Sequence, residues 1–412
     1  GTLSTRNPSK LNWEGHGLSI NTNELITDVA GQLEAGTSGL DLIIQSCTGQ
    51  LGDEAFALAE SARVSIDAET ATCRLSSLNL LSTGGSMELS GAFNATRDWD
   101  LHARITHDGL QWGDSMRRIN KIDGILTLSP GLNFQQIEGT LRCEEARWNE
   151  FVAVDAEVTI AGMLRAPRLK LRAAALPSGT LDAIVDLPLD DLAAGRASVA
   201  FTDLDLAPVN GLLPPESVEL QGKVSGALNA LGLNAFPRLD GEVVPNGVTL
   251  AIPYLGTRYD VEGSVEIGPD GFYMDQWALF DANSTEARFN GTVLHTAFKD
   301  WDLDFGIEIR DQPIALMNIP ITDDALFYGT ARGTGDINVS GYGPLLQIDA
   351  TLETGTGTDF ALPMDSQNDV DYAEFVRFKK ARTGTETSAA PRGTFSNTRL
   401  NLGIDVNEGA QA

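Results

Sequence analysis

The chain is poor in positive charge, and this scarcity limits what it can bind. Lys and Arg together number 29 against 57 Asp and Glu, so the formal net charge is −28. A nucleic-acid partner needs clustered Lys and Arg to displace counterions from its phosphates. Docking on an anionic membrane usually uses a polybasic segment. The composition therefore argues against nucleic acid and against a polybasic membrane anchor. We interpret the excess acid as a device that keeps a long β surface soluble and its edges apart.

Long apolar runs and paired cysteines are also lacking. No stretch reaches the ~18 apolar residues that a membrane-spanning helix needs. The cysteines Cys47, Cys73 and Cys143 show no C-x-x-C spacing and no nearby histidine at metal-ligand spacing. We expect buried free thiols, with a Cys47–Cys73 disulfide as the alternative in an oxidising compartment. The sequence begins at Gly1 without a signal peptide and ends soon after a strand-like run, so we expect it to be part of a longer protein.

Catalytic and cofactor motifs are absent from the sequence. It contains no H-E-x-x-H, G-x-S-x-G, phosphate-loop or Rossmann glycine pattern. The glycine-rich segment 330–336 leads into strand-like residues, whereas a phosphate site would need a helix N-terminus there. The acidic groups Asp98/Asp100, Asp300/Asp302/Asp304 and Asp323/Asp324 lack the spacing of known calcium loops, so we interpret them as solvated strand ends. The sequence predicts no enzyme activity, no cofactor and no metal.

One four-residue sequence motif occurs twice and leads into strand-like sequence both times. Asp98-Trp99-Asp100-Leu101 and Asp300-Trp301-Asp302-Leu303 each follow a strand-like run that ends in glycine. A motif that recurs together with its flanking sequence indicates a repetitive architecture. A finer repeat of ~25–30 residues, about two to three strands, lies within the larger one. We therefore predict a repeat architecture in which successive segments of the chain each add strands to the fold.

Alternation of apolar and polar residues dominates the chain, and turn signals recur between the alternating runs. This pattern predicts antiparallel strands with one apolar face and one wet face. The alternation predicts that Leu303, Phe305, Ile307 and Ile309 share one face, with Asp304, Glu308 and Arg310 on the other. The apolar positions that we select as candidates for an inner, lipid-binding face are Leu101, Ala103, Ile105, Val185, Leu187, Val261, Val265, Ile267, Leu303, Phe305, Ile307, Ile309, Ile348 and Leu352.

Four segments carry other local signals. Pro208 and the pair Pro214-Pro215 predict a short helical turn within 204–215. Residues 54–63 have some helical spacing without clear caps, so their structure is left open. Pro245-Asn246-Gly247 predicts a turn, and the polar segment 379–397 predicts a long mobile loop.

A wide apolar sheet face must be covered, and the residue sizes bear on what covers it. The face can pack on a second sheet, roll up, or remain an open trough. Small residues such as Ala103 and Ala183 among large ones leave a channel, and acyl chains gain roughly 0.8 kcal/mol per buried CH₂ in such a channel. The residue pattern alone leaves this reading open beside an ordinary dry core.

The order of several short motifs resembles a known family. The segments Leu206-Ala207-Pro208, Val218 to Gly226, Phe236 to Val243 and Val248 to Gly263 resemble the TamB-type translocation and assembly module of Gram-negative bacteria, as do Leu326 to Gly341 and Gly357 to Pro363. The resemblance covers about 200 to 412, and residues 1–200 fit the looser pattern of the AsmA-like superfamily. None of these motifs is catalytic.

This resemblance implies a fold, a location and partners. It implies an all-β, elongated, twisted and curved antiparallel sheet that forms a groove with an apolar concave interior. The protein would lie in the periplasm, held to the inner membrane by an N-terminal anchor absent from this sequence. Its partners would be phospholipid acyl chains and an outer-membrane barrel of the Omp85 type. The organisation we predict is groove repeats over 1–200, TamB-type repeats over 201–378, a polar loop over 379–397 and the start of a further strand module over 398–412.

Three functions compete at this point. The first is a phospholipid conduit between the two membranes, which requires aliphatic inward positions along its length. The second is an assembly factor for outer-membrane barrels, which requires an unprotected edge strand that can template another strand. The third is a secreted β-solenoid adhesin that binds glycans, which requires exposed aromatic clusters beside Asp and Asn.

Overall fold

The computed structural model describes residues 2–7, 10–21, 24–35, 39–51, 54–94, 99–111, 117–131, 135–212, 218–234, 236–297, 299–320, 328–343, 345–361 and 397–406. These residues form 26 strands and three short 3-10 helices, Leu192–Ala194, Ala207–Leu212 and Pro253–Leu255. The prediction of an all-β fold with very little helix is confirmed. Contacts divide the chain into two units: unit 1 holds residues 1–199 and 231–234, and unit 2 holds residues 200–230 and 235–412. The functional division at residue 200 stays a prediction.

Unit 1 is an antiparallel meander in which each strand, apart from the fifth, pairs with the next along the chain. One place in the sheet is shared: the fifth and sixth strands together fill the position between the fourth and the seventh. The strands are β1 (Thr2–Asn7), β2 (Lys10–Asn21), β3 (Glu24–Ala35), β4 (Gly39–Leu51), β5 (Glu54–Leu58), β6 (Ala62–Asp67), β7 (Thr72–Ser82), β8 (Gly85–Asn94), β9 (Trp99–Gln111), β10 (Arg117–Ser129), β11 (Gln136–Trp148), β12 (Phe151–Met163), β13 (Ala166–Leu176) and β14 (Thr180–Asp186).

The second part of the chain continues in strands, with one change of direction near its end. Its strands are β15 (Arg196–Asp205), β16 (Glu219–Leu231), β17 (Arg238–Ile252), β18 (Thr257–Glu262), β19 (Val265–Gly268), β20 (Gly271–Phe280), β21 (Glu286–Thr296), β22 (Lys299–Ile319), β23 (Tyr328–Tyr342), β24 (Leu345–Thr354), β25 (Asp359–Ala361) and β26 (Asn397–Asp405). β18 and β19 share one place between β17 and β20. β26 pairs with β24 in parallel, whereas the other registered pairs are antiparallel.

The alternation predicted for residues 303–310 matches the exposure pattern of β22. Leu303, Phe305 and Ile307 are half-buried and Ile309 is buried, while Asp304, Glu308 and Arg310 are exposed. Successive side chains of a strand point to opposite faces, so the apolar side of this strand is the covered side. The predicted grouping of these residues into two faces is confirmed.

The local predictions had mixed outcomes. The helical turn expected within 204–215 is the 3-10 helix Ala207–Leu212, and the open segment 54–63 holds β5 and the start of β6. The turn predicted at Pro245-Asn246-Gly247 is wrong, because β17 runs through it and pairs on both sides of it. Gly247 has a φ of 60°, and this left-handed residue bends the strand without reversing it. Asp98, Asp323, Asp324 and nearly all of the segment 379–397 lie outside the described residues.

Candidate functional site

Unit 1 carries a row of small and aliphatic residues that crosses seven consecutive strands. Ala103 of β9 and Val185 of β14 were selected from the sequence separately, and strand register places both in this row. All seven members are half-buried. Directly opposed in register from β8 to β14, they are Leu89, Ala103, Leu126, Gly139, Ile160, Leu169 and Val185.

Two neighbouring rows widen this apolar face. The row of Ile105 runs from Met87 through Gly124, Leu141, Val158 and Leu171 to Ala183, and the row of Leu101 contains Leu128 and Ile137. Leu187 lies just after β14, where its N–H donates to the Pro167 carbonyl at 3.0 Å. We call the three rows, taken together from β8 to β14, the apolar face of unit 1.

Leucine side chains cover the glycines within the apolar face. A Cβ at Gly124 would lie 2.2 Å from Leu141 Cδ2, and one at Gly139 would lie 2.6 Å from Leu126 Cδ2. Real Cβ atoms do not approach other atoms so closely, so a larger residue would displace a leucine side chain at either position, and at Gly139 its Cβ would also lie 2.4 Å from the Ile125 carbonyl oxygen. The face is therefore continuously aliphatic although glycines interrupt its rows.

The opposite side of the same strands is a ladder of alternating charges. Arg142 Nε donates to Glu157 Oε2 at 2.7 Å, and Arg172 Nε donates to Asp182 Oδ1 at 2.9 Å. The hydrogen bond to Asp182 raises the pKa of the Arg172 guanidinium. Exposed pairs of this kind add little stability, but they fix which side of the sheet faces water. In register across the strands, the ladder is Asp123, Arg142, Glu157, Arg172 and Asp182.

Unit 2 also aligns its predicted residues in cross-strand rows. Phe305 lies between Gly291 and Val339, and Ile348 continues the same row. Ile307 lies between Phe289 and Ile337, with the rings of Phe289 and Phe305 5.6 Å apart. Of the remaining candidates, Leu303 opposes Val293, Val265 opposes Val243 and Met274, and Leu352 opposes Gly335.

Part of unit 2 is a closed hydrophobic core. Val261 and Ile309, both candidates from the sequence, are 6 % and 1 % exposed and belong to one cluster with Tyr259 and Ile314. Ile267 is also buried. The hydroxyl of Tyr259 on β18 donates to the carbonyl of Ala315 on β22 at 2.6 Å, although these strands are not neighbours in the sheet. Val261 and Ile309 thus pack inside the protein.

A buried carboxylate holds this core together. Asp281 accepts hydrogen bonds from the backbone N–H groups of Asn283 (2.9 Å), Thr285 (3.0 Å) and Ala315 (3.0 Å). Arg332 Nη2 donates to its Oδ2 at 3.0 Å and to the Pro313 carbonyl at 2.7 Å. The Asp281 side chain is fully buried. Burial acts to raise its pKa, but the backbone donors and Arg332 outweigh burial and lower the pKa.

Sequence reasoning missed the pair of Asp281 and Arg332, because 50 residues separate the two and neither stands in a motif. The one local signal is the sequence Asp281-Ala282-Asn283-Ser284-Thr285, in which an aspartate can accept from N–H groups two and four residues ahead. Cys47, Cys73 and Cys143 are free thiols as predicted, but they are half-buried and not buried. The Cys47–Cys73 alternative fails because Cys73 is aligned through Ile66 with Leu40, seven residues or about 23 Å along β4 from Cys47.

The described residues contain no group of three or more His, Cys, Asp or Glu placed to hold a metal ion. Among the same residues, no helix is long and apolar enough to cross a membrane.

A comparison with protein families matches residues 278–411 to the TamB C-terminal domain. This part of the chain is similar to a TamB-type module. No curated protein and no solved structure matches the chain significantly. TamB proteins belong to the bacterial cell envelope, where the family takes part in outer-membrane protein assembly and lipid transport, generally with an Omp85-type partner. The TamB match contains the rows of Phe305 and Ile307, the Asp281–Arg332 pair and the parallel strand β26.

Proposed function

We propose that this protein is a non-enzymatic periplasmic component that carries phospholipid acyl chains along its apolar sheet face between the inner and outer membranes. The observation that carries the proposal is the apolar face of unit 1, which spans β8 to β14 with half-buried aliphatic residues. A dry core would bury such residues, whereas a surface for acyl chains must stay accessible. The TamB match of residues 278–411 supports the same class of function.

The proposal also gives roles to the residues selected from the sequence. Leu101, Ala103, Ile105, Val185 and Leu187 would contact acyl chains in unit 1. Leu303, Phe305, Ile307, Ile348 and Leu352 would do so in unit 2, where they are half-buried. Val261, Ile267 and Ile309 would support this surface from within, because they are buried.

Site-specific photo-crosslinking tests the proposal. A benzophenone amino acid at Leu169 should form phospholipid adducts, because Leu169 lies in the central row. The same amino acid at Lys170 should not, because the adjacent side chain is exposed on the charged side. Equal adducts at both positions, or none at Leu169, would contradict the proposal.

A blocking substitution gives a second test of the same face. Leu126→Arg should abolish lipid adducts at Leu169, since a charge opposes an acyl chain by several kcal/mol. The control Thr127→Arg places the same charge one residue away, on the other side of β10. Circular dichroism must show an unchanged fold for both variants.

One observation favours a second function, that of an assembly factor for outer-membrane barrels. β26 pairs only with β24 among the described strands, and its Leu400 and Leu402 are 58 % and 51 % exposed. An edge strand with exposed apolar residues can add a further strand through backbone hydrogen bonds. Loss of barrel assembly in cells after Leu400→Lys and Leu402→Lys, with lipid adducts unchanged, would favour this function.

A further inference from the structure

The strand β26 lacks the features that usually protect the edge of a sheet. It pairs with β24 in regular parallel register from Asn397 to Asp405, without a bulge, and with no other described strand. Natural edge strands are commonly protected by lysine, proline or a bulge. The sequence of β26 contains neither lysine nor proline. Its open side is therefore well suited to pair with a further strand.

The apolar side chains of β26 continue the apolar rows of unit 2 up to this edge. Leu400 lies beside Ile348, whose row contains Phe305. Ile348 is half-buried, whereas Leu400 is 58 % exposed. The other apolar side chains on the same side of the strand and just beyond its end are exposed as well, with Leu402 at 51 %, Ile404 at 40 % and Val406 at 56 %. A strand on the open side of β26 would cover part of this apolar surface.

The opposite side of β26 is polar and carries one charge of each sign. Arg399 and Asp405 are the charged residues of the strand, and both are exposed. Asn401 lies between them and donates through Nδ2 to Asp349 Oδ1 of β24 at 2.6 Å. Residues an even number of positions apart share one face of a strand. Arg399, Asn401 and Asp405 are therefore on the same side of the sheet.

The sequence of β26 is complementary to itself in one antiparallel register. If Leu402 lies opposite Leu402 of a second copy, each Arg399 lies opposite Asp405 of the other copy, and each Leu400 lies opposite Ile404. Opposite charges and apolar side chains that face each other across two strands both stabilise a sheet. A shift by one residue would set apolar side chains against polar ones, and a shift by two would separate both charge pairs.

We propose that β26 pairs antiparallel with β26 of a second copy of this chain, about a two-fold axis at Leu402. Such an axis gives a self-complementary contact in which both copies use the same surface. The apolar rows of unit 2 would continue from one copy into the other on one side of the joined sheet. This inference goes beyond the proposed lipid-carrying function and does not depend on it. The second copy would occupy the edge that the assembly function requires, so the two uses of β26 exclude each other.

Sedimentation of the whole chain with reversed charges tests the inference. Physiological ionic strength screens the long-range repulsion between two copies of net charge −28, and a concentration-dependent dimer is expected. Arg399→Asp or Asp405→Arg turns both opposite-charge pairs into like-charge pairs, which should weaken the dimer by about tenfold. The double variant restores opposite charges and should dimerise like the wild type. The matched control is Arg288→Asp, which reverses an exposed charge on β21 and should leave the dimer unchanged.

A disulfide test fixes the register. The three native cysteines are first replaced by serine. Leu402→Cys should then crosslink two copies on oxidation, because directly opposed residues of antiparallel strands have Cα atoms about 4.5–5.5 Å apart, within the range of a disulfide. Leu400→Cys is the matched control, since the two copies of residue 400 would be four residues, or about 13 Å, apart along the strands.

The outcomes separate the possible occupants of the edge. A chain that stays monomeric, or that binds a strand of an outer-membrane barrel through β26 in place of a second copy, would overturn the inference. So would a dimer that resists both charge reversals, or crosslinks at position 400 without crosslinks at position 402. Because the double variant carries both substitutions, its dimerisation also shows that neither change detaches β26 from β24.

Discussion

The two units build similar strand sequences into different interiors. In unit 2 the residues Tyr259, Val261, Leu279, Ile309 and Ile314 are buried together. In unit 1 the buried hydrophobic residues are mostly alanines, such as Ala156, Ala173 and Ala183, while the larger aliphatic residues of the apolar face are half-buried. The comparison teaches that an alternating pattern specifies an apolar face but does not specify whether the face closes.

The cause of closure in unit 2 lies in breaks of regular pairing. The register between β22 and β23 shifts between Ile309 and Ile314. Residues 310–313 of β22 lie there opposite the single residue Thr334 of β23. Bulges bend strands, and here the bend brings Ala315 to the hydroxyl of Tyr259 and to the carboxylate of Asp281. Pairing between β9, β10 and β11 in unit 1 shows no register shift. Among the pairs from β8 to β14, only β12 and β13 show a register shift, between Val154 and Glu157, and it lies outside the three rows, so the rows of the apolar face run through unbroken register.

We expect the largest effect on the closed core of unit 2, and so on its contrast with unit 1, when the buried carboxylate of Asp281 is removed. Asp281→Ala deletes the acceptor for three backbone N–H groups and leaves Arg332 without its ion-pair partner, which should cost about 3–5 kcal/mol of unfolding free energy. Hydrogen exchange measured by mass spectrometry should accelerate in β22 peptides and remain unchanged in β12 peptides. The control Asp260→Ala removes an exposed carboxylate that accepts one bond from Thr249. Equal acceleration in both variants would contradict a closed core held by Asp281.

The next largest effect compares two isoleucines. Ile309→Ala leaves a cavity in a closed core and should cost about 2–5 kcal/mol. Ile160→Ala, in the central row of the apolar face of unit 1, should cost only about 1 kcal/mol, because the side chain is half-buried. Chemical denaturation gives both values in the same chain. Similar costs for the two variants would mean that the apolar face of unit 1 is an ordinary packed core.

The sequence predicted which residues share an apolar face better than it predicted whether that face is buried in a closed core. Alternation identified Ala103 and Val185, 82 residues apart in sequence, and strand register joins them in one row. Closure depends on contacts such as Tyr259 with Ala315, which join residues 56 positions apart. Such contacts leave no periodic trace in the sequence. Candidates selected by alternation alone therefore include both half-buried residues, such as Phe305, and core residues, such as Ile309.

The smallest expected effect is a difference in acid sensitivity between the two units. The folded pKa of Asp281 is lowered despite its burial, because backbone donors and Arg332 stabilise the charged form. A lowered folded pKa contributes stability that is fully present above the unfolded value of about 3.9 and is lost as pH falls through the folded pKa. Unit 1 also holds carboxyls with lowered pKa, such as Asp186 beside Arg168, but these are exposed and high salt screens them. We therefore expect that, in high salt, acidification below about pH 4 speeds hydrogen exchange in β22 before it does so in β13. The Asp281→Asn variant should lose this difference between the units. Simultaneous loss of protection in β22 and β13 of the wild-type protein would show that the Asp281 carboxylate does not set the stability of the closed core.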